Sequence, residues 1–105
     1  MVVAEPRSPR LIEVDVEHKG TTSRYYVLPT DAIFGRDLGC IVRLRAGSIS
    51  KRHFRLRSRG LQLYVEDLGS TNGTYLDTRR VIGEKPVHPG ARIGASPYNI
   101  KAQVI

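Results

Sequence analysis

Two alternating apolar runs separated by a glycine constrain this chain more than any other feature. In residues 53–59, Phe54 and Leu56 share one face and Arg55 and Arg57 the other. In residues 61–67, Leu61, Leu63 and Val65 share a face, opposite Gln62, Tyr64 and Glu66. A period of two puts a strand half in a core and half in water, and a slip of one residue exchanges its faces. The pairing must therefore set apolar against apolar. Phe54 with Val65 and Leu56 with Leu63 does so, which places Arg57 opposite Gln62, Arg55 opposite Tyr64 and His53 opposite Glu66. Arg59-Gly60 is then the expected two-residue turn, with the glycine free to take positive φ.

The rest of the chain is punctuated at similarly short intervals. Residues 11–16 alternate through Ile12, Val14 and Val16, and residues 98–104 through Tyr98, Ile100, Ala102 and Val104. Residues 25–28, 32–34, 41–44, 81–82 and 91–93 read as further short strands. Residues 18–22 read as a polar loop around Gly20, and Asn72-Gly73 as a type I′ turn followed by residues 74–76. No stretch sustains a helical period. The expectation is one all-β domain, a sandwich or barrel, at residues 11–105 after a flexible tail at residues 1–10. The chain ends inside a strand-like segment, which suggests a domain cut from a longer protein.

Charge narrows the partners. Seventeen Lys and Arg stand against ten Asp and Glu, a net charge of +7, which points to nucleic acid, an anionic membrane or a phosphorylated protein. No apolar run approaches the roughly 18 residues of a membrane helix, and the N-terminus lacks a secretory pattern. Five tyrosines, two phenylalanines and no tryptophan make a poor stacking platform for single-stranded nucleic acid. A single cysteine, Cys40, cannot form an internal disulfide, so an intracellular setting, nuclear or cytoplasmic, is expected. A reactive thiol there would need an exposed, positively charged niche, and only Arg36 is near in sequence. No Cys/His spacing makes a metal site, and no cofactor is expected.

Three loop clusters interrupt the strand pattern. They are Gly35-Arg36, Ser50-Lys51-Arg52-His53, and the octet from Asp67 to Thr74 that reads Asp-Leu-Gly-Ser-Thr-Asn-Gly-Thr. Each sits at a strand end, and loops at one end of a sandwich can converge on one surface. They supply guanidinium, ammonium, hydroxyl and amide groups, but no nucleophile–base pair with an orienting third group, so binding is expected rather than catalysis. The set suits a phosphate: charge-assisted bonds from Arg36 and Lys51, hydroxyl donors from Ser50 and Thr71. Three or four such bonds give about 5–12 kcal/mol gross, of which association takes back several. A micromolar complex, about −8 kcal/mol, is the resulting expectation.

Gly-Arg, then Ser-x-x-His, then the octet, in that order, resemble the forkhead-associated (FHA) family across residues 11–105. The octet is the specific part. The resemblance implies an FHA/SMAD-like sandwich of about eleven strands whose loops at one end bind a phosphothreonine peptide of a partner protein. By position it implies that Arg36, Ser50, Lys51 and Thr71 contact the phosphate and that Asn72 bonds the peptide main chain. Gly35 and His53 are implied to be architectural. Asp67 reads as a structural partner for loop amides or a nearby arginine, and Gly73 as a turn glycine. Lys51 stands where many members carry arginine, keeping the charge but losing the bidentate fork. Asp77-Thr78-Arg79 replaces a later Asn-Gly turn usual in the family.

Two other readings remain. Arg55, Arg57 and Arg59 form an alternating stripe on an outward sheet face, which fits a solvated exterior or, alternatively, a nucleic-acid contact. An interaction scaffold, with a dimer possible, is the third. His18 and His88 read as exposed loop residues.

Overall fold

The computed structural model describes residues 10–105, so the tail expected at residues 1–10 lies, apart from Arg10, outside the described residues. Eleven strands run in chain order: β1 (Ile12–His18), β2 (Thr21–Val27), β3 (Ala32–Gly35), β4 (Val42–Arg43), β5 (Phe54–Arg59), β6 (Gln62–Asp67), β7 (Tyr75–Leu76), β8 (Arg79–Arg80), β9 (Glu84–Val87), β10 (Ile93–Ala95) and β11 (Tyr98–Val104). They form a six-stranded sheet, β2-β1-β11-β10-β7-β8, and a five-stranded sheet, β4-β3-β5-β6-β9. The expected all-β sandwich is found. All ladders are antiparallel except β3 with β4. No helix among the described residues is long and apolar enough to cross a membrane.

The alternations place the core as read. Ile12 and Val14 from β1 and Ile93 and Ile100 from β10 and β11 are fully buried. Facing them from the second sheet are Phe34, Phe54, Leu56 and Val65, also fully buried. Phe34 and Phe54, paired across β3 and β5, stack with ring centroids 4.6 Å apart. Each such side chain contributes about 1.5–3 kcal/mol relative to exposure.

The central hairpin keeps the expected faces but not the expected register. Leu56 pairs with Val65, Phe54 with Asp67, and Arg59 with Gln62, a shift of two residues along β6. The turn is Gly60-Leu61, with Gly60 at φ 60° and Leu61 outside the positive-φ set. Positive φ at the first central position alone is the type II′ pattern, which glycine there satisfies. The Arg59-Gly60 turn expected from sequence would have been type I′, forcing Arg59 left-handed at about 1–2 kcal/mol. Leu61, read as facing the core, therefore sits at the tip and is 70% exposed.

Other departures have local causes. Residues 18–22 are not a loop: Lys19-Gly20, at φ 52° and 75°, form a two-residue turn between His18 and Thr21. His18 ends β1 half-buried, its ring 4.5 Å from that of Tyr98, and is not an exposed loop residue. Val81 is buried but follows β8 rather than forming a strand with Ile82, and β10 starts only at Ile93. β9 escaped notice because Pro86 lies inside it. Proline is tolerated there because β9 is a sheet edge.

The register makes a direct prediction for chemical denaturation. Leu61→Lys is expected to change stability by less than about 0.5 kcal/mol. Leu63→Ala, at a site 4% exposed, is expected to cost about 2–5 kcal/mol. Comparable losses at both positions would contradict a turn at Gly60-Leu61.

Candidate functional site

The site begins where β3 runs out. A Cβ on Gly35 would lie 2.2 Å from the Lys51 carbonyl oxygen, so only glycine lets the two loops touch. The contact is closed by backbone bonds: Arg36 N–H donates to Ser50 O at 3.0 Å and Asp37 N–H to Lys51 O at 3.1 Å. Arg36 Nε donates to Ile49 O at 3.0 Å, which anchors the guanidinium of an otherwise exposed side chain. Arg43 Nε caps the arrangement by donating to Arg36 O at 2.9 Å.

His53 joins this loop to the next. Ser50 N–H donates to its Nδ1 at 3.0 Å, so Nε2 carries the hydrogen and donates to Gly73 O at 2.9 Å. The ring is fully buried with both nitrogens committed, which leaves none for base or ligand chemistry. Ser50 Oγ accepts from Thr71 N–H at 3.0 Å and keeps its own hydrogen to donate outward. Asn72 Nδ2 donates to Ser48 O at 2.8 Å, which fixes the amide.

Asp67 anchors the octet. Its Oδ1 accepts from Ser70 Oγ at 2.5 Å and Thr74 Oγ1 at 2.7 Å, and its Oδ2 from the amides of Gly69 and Ser70, both at 3.1 Å. Ser70 Oγ also accepts from Gly73 N–H at 3.0 Å. Of the two partners expected for Asp67, loop amides are present, and among the described residues no arginine pairs with it. The expected type I′ turn at Asn72-Gly73 is absent, since only Gly73, at φ 87°, is left-handed. Side-chain bonds from Asp67 and Ser70 shape the segment in its place. Ser70, Thr74 and Ser48 were given no individual role by sequence reasoning. The Asp-x-x-Ser spacing, a carboxylate three residues before a hydroxyl, was the available signal for the first.

The loops converge as expected on one open cavity of about 440 Å³, lined among others by Arg36, Ser50, Lys51, Thr71 and Asn72. Gly35, His53, Asp67 and Gly73 do not line it and instead hold its loops together. Among the described residues, no carboxylate pairs with Arg36, Lys51 or Arg52. The arginine stripe is the opposite case. Arg55 pairs with Asp31 and Glu66, while Arg57 and Arg59 share Glu84 at 2.6 and 3.1 Å. Three guanidinium groups are thus matched by three carboxylates, and the stripe offers little free charge to a polyanion.

Residues 32–95 match the family model for the FHA domain. The chain belongs to the FHA domain family. The FHA domain-containing protein FhaB of Mycolicibacterium smegmatis is 52% identical over 54 residues, covering 50% of this chain and 35% of that protein. FhaB of Mycobacterium tuberculosis H37Rv is 37% identical over 83 residues, covering 77% of this chain and 54% of that protein. The chain thus spans about half or less of the length of these curated relatives. A solved FHA structure from a study of phosphothreonine-dependent FHA domain interactions superimposes with a TM-score of 0.79 at 26% identity. It covers 89% of this chain and 95% of that one.

Within this FHA domain, Cys40 is half-buried with Sγ 3.1 Å from Lys51 O, and burial raises its pKa, so the niche for a reactive thiolate is missing. His88 is exposed as read, and a hydrogen bond to Asp77 raises its pKa. At Asp67 burial opposes ionisation, yet bonds from Ser70, Thr74 and the two amides outweigh it and hold the carboxyl below its ordinary value of 3.8. A depressed folded pKa stabilises the fold above the unfolded pKa, and that contribution fades as pH falls through the folded value. Urea unfolding from pH 7 down to pH 2 is therefore expected to show acid destabilisation below about pH 4 that Asp67→Asn makes shallower. The same variant is expected to be less stable than the parent at pH 7, by about 1–3 kcal/mol for the bonds it mispairs. Identical acid profiles would show that Asp67 does not carry this linkage.

Proposed function

We propose that this FHA domain captures a phosphothreonine-bearing segment of a partner protein and so recruits its parent protein after a kinase has acted. One observation carries the reading: a carboxylate-free cavity into which the ends of Arg36, Ser50, Lys51 and Thr71 converge, held by groups already committed to each other. The phosphate carries about −1.5 to −2 charge with three acceptor oxygens. The Arg36 guanidinium is assigned two of its bonds, the Ser50 hydroxyl hydrogen another, and Lys51 a point charge beside them. Asn72, pinned by its Nδ2, is assigned the peptide main chain next to the phosphothreonine. No bond is made or broken in this mechanism. The FHA domains studied in the superimposed structure are described by their phosphothreonine-dependent interactions, which supports the same chemistry here.

Calorimetric titration with a phosphothreonine peptide tests the reading. Arg36→Ala and Ser50→Ala are each expected to weaken binding at least about tenfold, the loss of one or more charge-assisted bonds, with Arg36→Ala still folded. The unphosphorylated peptide is expected not to bind. Replacing Arg55 and Arg57 together by glutamine is expected to leave affinity within about twofold at physiological salt, because those side chains already hold carboxylates. Tight duplex binding that depends on Arg55 and Arg57, with no phosphopeptide affinity, would overturn the proposal in favour of nucleic acid.

A further inference from the structure

The inner face of β2 is uncovered. Ser23, Tyr25 and Val27 pair with Val16, Val14 and Ile12, whose side chains enter the core, so Thr21, Ser23 and Tyr25 face the same side. Yet every residue of β2 before Val27 is exposed. β2 is the edge of the six-stranded sheet and β4 the edge of the five-stranded one, and the space between them is a groove of about 410 Å³. Its lining includes Thr21, Ser23, Tyr25, Arg43, Arg45 and Tyr98.

The groove is chemically one-sided. It presents two guanidinium groups and several hydroxyls but no carboxylate. Neither Arg43 nor Arg45 pairs with an acid among the described residues, whereas Arg24 of the same strand β2 is held by Asp15 and Glu13. Tyr98 Oη accepts the Arg45 backbone N–H at 3.0 Å, which fixes the segment at the groove margin. The groove also neighbours the phosphate cavity along the chain. Residues 43–45 border the one and residues 47–52 the other, and Arg43 Nε bonds the carbonyl of Arg36.

We propose that this groove holds a carboxylate-rich extended segment of the same partner that presents the phosphothreonine, an inference that rests on the phosphothreonine reading above. Once the phosphate is seated, the acidic segment meets the groove at high effective concentration, so individually weak pairs add measurable affinity.

Titration of the full chain with three peptides tests this. They are a neutral phosphothreonine peptide, the same peptide extended on either side by a spacer and a run of glutamates, and the extended peptide without phosphate. One extension is expected to tighten binding about fivefold, with the gain shrinking at high salt. Arg45→Gln, a change in an exposed side chain, is expected to remove the gain and leave the neutral phosphopeptide unaffected. Lys85→Gln, an equal loss of charge on the distant edge strand β9, is expected to retain it. The inference is overturned if neither extension helps, if the gain survives Arg45→Gln, or if Lys85→Gln removes it equally. It is overturned too if duplex DNA rather than the acidic peptide shows the Arg45 dependence. Failure of the neutral phosphopeptide to bind would overturn the phosphothreonine reading itself and this inference with it.

Discussion

A single buried imidazole ties the ligand end of this molecule together. The main chain of His53 accepts from Leu68 N–H and donates to Phe34 O, so the residue already bridges β3 and the start of the octet. Its ring then spans from Ser50 N–H to Gly73 O. Four hydrogen bonds, two from its main chain and two from its ring, tie β3, the Ser50 loop and the octet to one residue with no exposure to water. A buried polar group left without its partner costs about 1–3 kcal/mol, so each of these bonds holds the others in place. The consequence for function is preorganisation. Ser50 and Thr71 stand beside each other because the sandwich core and the His53 bridge put them there, before any ligand arrives.

The distribution of acids matters as much as that of bases. Arg55, Arg57 and Arg59 lie on β5, the middle strand of the five-stranded sheet, and are met by Asp31, Glu66 and Glu84. Arg36 finds a backbone acceptor in Ile49 O, and among the described residues no carboxylate pairs with Arg36, Lys51 or Arg52. An uncompensated cluster in a concave site draws anions more strongly than a neutralised stripe. Gly35 is the steric condition for that cluster, because any side chain there would drive the Arg36 and Lys51 segments apart.

Particular residues show how far a sequence can be read here. The faces of β5 and β6 were legible because a period of two leaves no ambiguity about which side is apolar. Their offset was not, because shifting by two residues preserves every face, and the choice fell to which turn position Gly60 could occupy without straining its neighbour. β9 was hidden by Pro86, whose penalty disappears only on a sheet edge, and edges exist only once the strands are ordered. Asn72-Gly73 resembled a turn in isolation, yet Asp67 and Ser70 hold it in another conformation, through bonds whose signal is the Asp-x-x-Ser spacing rather than the Asn-Gly pair.

By itself the sequence determined an all-β chain, most of the inward residues of its strands, and the order and functional groups of its three loop clusters. These are properties of periodicity and residue type, which act over a few positions. Tertiary structure decided that Arg36, Ser50 and Thr71 share one cavity, that the arginine stripe is neutralised by Asp31, Glu66 and Glu84, and that β2 overhangs an open groove beside Arg43 and Arg45. Each of those depends on contacts between residues distant in sequence, whose distances are set only when two sheets pack around a common core.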